Sequence, residues 1–279
     1  MIAFNGQYLP AASHGNMRIT AACLGGQWVF DYTWLNHATK QAIIAAFGAE
    51  EGIAVIRRTN DYLNQVAATD PTRAQQLAMF INEDPMLVCS LVETSKTRWL
   101  VGDGKCYIYT DVELSNNLGF IIKSQSTNVN ATNTVIYGAG GGGRLGLSYY
   151  NTETSYVLHY NSTFHIKSNF PNQMEIHTFS HNVEKGKFYV DGQLYDSWTW
   201  TSNPSGKMGL FAVSINSESA RARVSFVEFV DNQTNDQVAH FIPMQRTDGT
   251  CGMLDILSGT FYPNANTEGA FTIAITDKQ

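Results

Sequence analysis

Paired carboxylates at strand spacing are where hydrolytic chemistry would be sought, and this chain offers one such pair, Asp111 and Glu113. Alternate residues of a strand project from one face, so one acid could attack while the other donates a proton. The pair reads more simply as a solvated strand face. Glu175 is followed by Ile176-His177 and has no second acid at that spacing. There is no Gly-x-Ser-x-Gly nucleophile elbow. The seven histidines are scattered; His177 and His181 are four apart, but in a segment that reads as strand and turn rather than helix, which disfavours a zinc pair. Ala139 to Arg144 is a glycine run, yet a phosphate cradle needs a helix after it, and Leu145 to Tyr150 reads as strand. Sugar recognition needs aromatic platforms beside amides. Trp198 and Trp200 alternate and so share a face, with Tyr195 and Asn203 close in sequence. The simpler reading has both tryptophans filling an interior, since Ser197, Thr199 and Thr201 occupy the other face.

The elements that would position these residues change character near Asp84-Pro85. Before it, Asn36 caps a predicted helix through Ala46 that Gly48 stops. Ile53, Ile56, Asn60, Leu63 and Ala67 follow a helical period. Asp70-Pro71 opens a third helix with Ala74, Leu77, Ala78 and Ile81 on one face. Ile2, Phe4, residues 27–30 and Tyr32 suggest short strands. Residues 1–85 are therefore expected to form a small helix-containing α+β module, too slight to be stable without a partner. After residue 85 the helical pattern stops. About a dozen strand candidates, from Met86–Val92 to Ala222–Val230, alternate with turns, which suits a two-sheet sandwich over 86–279. Asp191-Gly192 is a strong hairpin turn, and residues 125–133 read as a long polar loop.

The chain has 279 residues, 43% of them hydrophobic and 12% aromatic, enough for a full β-rich core. The net charge of -6 argues against a nucleic-acid surface, which needs lysine and arginine clusters. No run of eighteen apolar residues predicts membrane insertion. The first residues, Met1 to Asn16, lack the basic start and apolar run of a signal peptide. The four cysteines (Cys23, Cys89, Cys106, Cys251) have no paired spacing and are expected to be reduced and buried.

The closing stretch, His240 to Phe271, packs Pro243, Gly249, Gly252, Gly259, Pro263 and Gly269 among apolar residues. It predicts short strands at Phe241-Ile242, Met253-Leu254 and Phe261-Tyr262, with turns at Asp248-Gly249 and Ser258-Gly259. With Leu100 to Thr110 and His181 to Leu194, it resembles concanavalin A-like, laminin-G-like jelly-roll domains over roughly residues 97–275. The versions it is most similar to occur in bacteriophage structural proteins and gut-bacterial surface proteins. Tyr109 stands where that group usually has Asp, and Asp111 where it has Gly.

The resemblance implies a mainly β fold: a concanavalin A-like two-sheet jelly roll behind the N-terminal module. Glycosidases on this scaffold carry a Glu-x-Asp-x-x-Glu strand, which this sequence lacks. The resemblance thus implies a non-enzymatic structural or interaction protein: a virion component, as head or tail fibre or decoration, whose residues 1–85 anchor it. The alternatives are a carbohydrate-binding module or adhesin at a bacterial surface or secreted, and then a glycoside hydrolase. Expected partners are other virion or assembly subunits, further copies of the chain and a host-surface glycan. No cofactor is implied beyond calcium, for which Asp103, Asp111 and Asp191 are the candidate ligands, as in lectin-type relatives. Asp103 and Asp191 are equally explained by their Asp-Gly turns.

Overall fold

The computed structural model describes the chain except residues 1, 5–6, 10–12, 15–16, 25–26, 33, 129–133, 140–144, 150–153, 162, 184, 202–204, 213–220 and 279, and for the strands up to residue 32 it describes the backbone. The chain divides into two units, Met1–Ser95 and Lys96–Gln279.

The first unit begins with β1 (Ile2–Phe4) and β2 (Gln7–Leu9), which pair, and with β3 (Ser13–His14), β4 (Met17–Leu24) and β5 (Gln27–Tyr32), which form a three-stranded sheet in that order. Then come α1 (His37–Phe47), α2 (Ala49–Thr69) and α3 (Pro71–Glu83). Asn36 caps α1 by accepting from Thr39 N at 2.8 Å, and Asp70 caps α3 by accepting from Arg73 N at 2.9 Å. Gly48, at φ 80°, ends α1 and sends its N–H to Ile44 O at 2.8 Å. The lead-in at Trp34–Asn36 is tied by asparagines: Asn60 accepts from Trp34 N, Asn64 from its indole N–H, and Asn82 donates to Trp34 O.

The buried face of α2 differs from the expected one. Gly52, Val55, Thr59 and Leu63 face inward, while Ile53 is 52% exposed. Thr59 can serve as a core residue because its hydroxyl is spent on Val55 O at 2.8 Å. Gly52 lets α1 approach: a Cβ there would lie 2.7 Å from Ile44 Cα. An exposed helical Gly→Ala change usually stabilises. Gly52→Ala should instead destabilise this unit, by about 1–3 kcal/mol, because backbone rather than a flexible side chain is in the way. Urea unfolding followed by helical circular dichroism checks the sign.

A second expectation is corrected at Met86–Val92, which is not a strand. Pro85–Leu87 forms a 3-10 turn that continues into α4 (Val88–Leu91), with Leu87, Val88 and Cys89 buried. An apolar run this short has no period of its own, and Asp84-Pro85 starts a helical turn as readily as a strand. The unit boundary therefore falls at Ser95/Lys96 rather than after residue 85.

The second unit contains β6 (Lys96–Val101), β7 (Ile108–Glu113), β8 (Leu118–Ser126), β9 (Thr134–Ala139), β10 (Leu145–Tyr149), β11 (Tyr156–Tyr160), β12 (Thr163–Lys167) and β13 (His177–Asn182). It continues with β14 (Lys187–Val190), β15 (Gln193–Ser197), β16 (Lys207–Leu210), β17 (Ala222–Asp231), β18 (Gln237–Gln245), β19 (Cys251–Asp255), β20 (Thr260–Pro263) and β21 (Thr272–Asp277). One sheet has six strands in the order β12-β11-β10-β9-β16-β7. The other has ten: β15-β14-β13-β8-β17-β18-β19-β20, with β6 pairing both β17 and β21. Among the described residues the strand pairs of both sheets are antiparallel. This is the expected jelly-roll sandwich. Its core lies between the sheets, where Leu147, Tyr149, Leu158 and Tyr137 meet Phe120, Ile122, Phe179, Phe188 and Phe229.

The predicted turns are present. Asp191 (φ 49°) and Gly192 (φ 80°) both have the positive φ of a two-residue hairpin between β14 and β15. The closing stretch forms β18, β19 and β20, turning at Gly249 (φ 87°) and Gly259 (φ 72°). Asn264 accepts from Tyr107 N at 3.1 Å, Phe271 packs on Phe211 with centroids 5.0 Å apart, and β21 then pairs β6 along its length.

Candidate ligand-binding site

The free edges of the two sheets, β12 and β15, meet at one end of the sandwich, and an aromatic cluster lies between them. Strand alternation turns Tyr156, Leu158 and Tyr160 of β11 inward. On β12 it turns His165 and Lys167 to the same side, and Phe164 and Ile166 outward. Tyr160 stacks on His165 at 3.8 Å between centroids with planes 4° apart, and on Trp198 at 4.4 Å and 9°. Two rings at those distances cannot share one face of Tyr160, so the three form a column. Trp200 packs edge-on against Trp198 at 5.5 Å. Asp196 of β15 pairs with Lys167 at 2.9 Å and accepts from the Tyr160 hydroxyl at 3.4 Å. Burial, and then the Asp196 charge, raise the Tyr160 pKa above its ordinary value.

The loop carrying both tryptophans is pinned at each residue. Trp198 N donates to Gly186 O at 2.8 Å, and the Trp200 indole N–H to Val183 O at 2.6 Å. Asn161 Nδ2 donates to Thr199 O at 2.9 Å, and its Oδ1 accepts from Thr201 N at 2.9 Å. Asn161 itself sits at φ 52° in the turn joining β11 to β12, a conformation asparagine tolerates. The Trp198 indole nitrogen and His165 Nε2 are buried without a hydrogen-bond partner.

Of the residues marked from sequence, Trp198 and Trp200 are brought together. They do not alternate along a strand, because β15 ends at Ser197, and both pack partly against the core. Tyr195 lies one step away, its ring 4.5 Å from Phe170. Asn203 falls outside the described residues. Tyr160, Asn161, His165, Lys167 and Asp196 were not marked. Alternation about the Asn161 turn would have put Tyr160, His165 and Lys167 on one face, but the sequence alone does not say that β15 lies opposite.

The three candidate calcium ligands sit in separate settings. Asp103 accepts from Lys105 N and the Cys106 thiol; burial would raise its pKa, but these bonds and one from Ala270 N hold it below the ordinary value. Asp111 accepts from Lys207 at 2.7 Å and Tyr262 at 3.2 Å, and Lys207 holds its carboxyl low. Asp191 takes Thr178 N at 2.9 Å and His177 Nδ1 at 2.7 Å. Among the described residues no three His, Cys, Asp or Glu side chains converge so as to hold a metal ion.

His181 lies inside the sandwich. It is hydrogen-bonded through Nε2 to the Tyr137 hydroxyl, its ring stacks on Phe120 at 4.7 Å, and Phe188 and Trp198 close around it. Burial lowers its pKa to about 3. Cys89, Cys106 and Cys251 are buried, and burial with Asp103 alongside pushes the Cys106 thiol up to about 12. No helix among the described residues is long and apolar enough to cross a membrane.

The fold is a two-sheet antiparallel β-sandwich of jelly-roll type. No family model and no curated protein matches the chain. Among solved structures, a heptameric SAP-like pentraxin from Limulus polyphemus is similar at 9% identity, covering 67% of this chain and 97% of its own, with a TM-score of 0.42. A Trypanosoma rangeli sialidase is similar at 16% identity over 40% of this chain, with a TM-score of 0.32; the match spans 20% of that enzyme. A glycosidic hydrolase is similar at 11% identity, covering 52% of this chain and 81% of its own, with a TM-score of 0.33.

Proposed function

We propose that the chain is a non-enzymatic interaction protein that displays a lectin-like sandwich and recognises a glycan on its Trp198–Trp200 loop. The observation that carries this reading is the hydrogen bonding of that loop. Four hydrogen bonds hold two half-buried indoles in place beside an amide, a carboxylate and a lysine. A sugar presents an apolar C–H face to an aromatic ring and hydroxyls to such polar neighbours. A platform ordered before binding loses little entropy when it is occupied. The assembly context, a virion subunit with a host-surface glycan as target, is supported by the resemblance of three sequence segments to phage structural proteins and by the separate helical unit.

A glycan array tests the recognition. At least one glycan should bind, and Trp200→Ala and Asp196→Asn should each weaken it at least tenfold while thermal melts show the sandwich still folded. An array without binding, or binding indifferent to both changes, overturns the glycan reading. Co-sedimentation of the purified chain with particles tests the assembly reading separately.

A further inference from the structure

The free edges of the two sheets are not alike. The β7 edge carries the exposed charges Asp111 and Glu113, and its ladder to β16 is broken by a register shift. The β20 edge ends in Pro263, and the β15 ladder has a shift between Phe188 and Tyr189. On β21, Asp277 is exposed. Charges, proline and bulges are the devices that keep edge strands from pairing with other chains. β12 has neither proline nor bulge, and its one charge, Lys167, is paired with Asp196 at 2.9 Å. Its register with β11 is unbroken from Lys167 to Thr163, its sequence Thr-Phe-His-Ile-Lys holds no proline, and β11 is its only partner among the described strands. Its outward side chains, Phe164 and Ile166, are 61% and 56% exposed.

That edge is complementary to itself. In an antiparallel pairing about a two-fold axis at His165, Phe164 of one copy stands opposite Ile166 of the other, an aromatic–β-branched pair of the kind that stabilises sheets. Thr163 stands opposite Lys167, the one charged residue of β12, so no like charges face each other. Lys167 is moreover already neutralised by Asp196 at 2.9 Å. We infer that two copies of the chain pair β12 against β12, joining their six-stranded sheets into one continuous sheet. This deepens the assembly reading, on which it rests, by naming the surface between copies. The exposed apolar area is small against the ~800 Å² per partner of a standard interface, so the dimer is weak and concentration-dependent.

Sedimentation velocity of the full chain from about 1 µM to about 1 mM tests the inference with two double variants whose side chains point to solvent. Phe164→Lys with Ile166→Lys opposes lysine to lysine and should weaken the dimer at least tenfold. Phe164→Lys with Ile166→Glu opposes lysine to glutamate and should restore it, now with a dependence on salt. Thermal melts of both should match the parent. Dimerisation unchanged by the first variant overturns the β12 interface and leaves the assembly reading standing. Failure of the second variant to recover the dimer overturns the two-fold register. A parent that stays monomeric throughout overturns the inference, and particle co-sedimentation then decides the assembly reading by itself.

Discussion

Lowering the pH from 7.5 to 4.5 should cost the sandwich about 2–3 kcal/mol of stability through His181. The imidazole is enclosed by Phe120, Tyr137, Phe188 and Trp198, none of which is charged, and its pKa falls to about 3 from 6.5. A base with a depressed folded pKa is bound neutral in the native state, whereas the unfolded chain takes up its proton below pH 6.5. The stabilisation is therefore complete above 6.5. It is lost at about 1.4 kcal/mol per pH unit as the pH falls toward 3. The carboxylates held below their ordinary range, Asp103, Asp111 and Asp248, act in a lower window, beginning under their reference value of 3.8. Urea midpoints read by near-ultraviolet circular dichroism across pH 7.5–4.5 separate the two. His181→Gln should flatten the upper window. An unchanged slope in that variant would remove His181 as its source.

The second large effect is expected at Gly186. Its φ is 55°, and a Cβ there would lie 2.1 Å from the Trp198 carbonyl oxygen. Gly186 O also accepts the Trp198 N–H at 2.8 Å, so neither backbone can retreat without giving up that bond. Gly186→Ala should destabilise the sandwich by about 3 kcal/mol or more, combining left-handed strain with a backbone clash. It should also change tryptophan fluorescence as the Trp198–Trp200 loop is displaced, and abolish any glycan binding. Gly192 is the control. It too has a positive φ, of 80°, but nothing lies within 4 Å of its Cβ position. Gly192→Ala should cost only about 1 kcal/mol and leave the fluorescence alone. Equal effects of the two changes would mean that backbone strain, not contact with the tryptophan loop, sets the cost.

The elements that could be read from sequence are those whose signals are local. Asp191-Gly192, the caps at Asn36 and Asp70, and the turns of the closing stretch depend on a few neighbouring residues, and each stands where expected. Met86–Val92 misled because a short apolar run in a helical turn and one in a strand look alike without a period. The α2 face was misread because Thr59 counts as polar in a sequence and as apolar once its hydroxyl bonds Val55 O. The aromatic column was unreadable for another reason. Its rings come from β11, β12 and the segment after β15, and only the meeting of two sheet edges puts Trp198 against Tyr160.

The pairing of β6 with β21 sets a schedule for biosynthesis. Lys96 contacts Asp277 at 3.0 Å across a separation of 181 residues, and Trp99 donates to Thr276 at 3.0 Å. The first strand of the sandwich therefore finds this partner only when the last has been made. At ribosomal rates of roughly 5–20 residues per second, that wait is on the order of 10–40 s. The helices of Met1–Ser95 make local contacts and can form within that time. A nascent chain stalled before Thr272 would then hold a finished helical unit on an unclosed sheet.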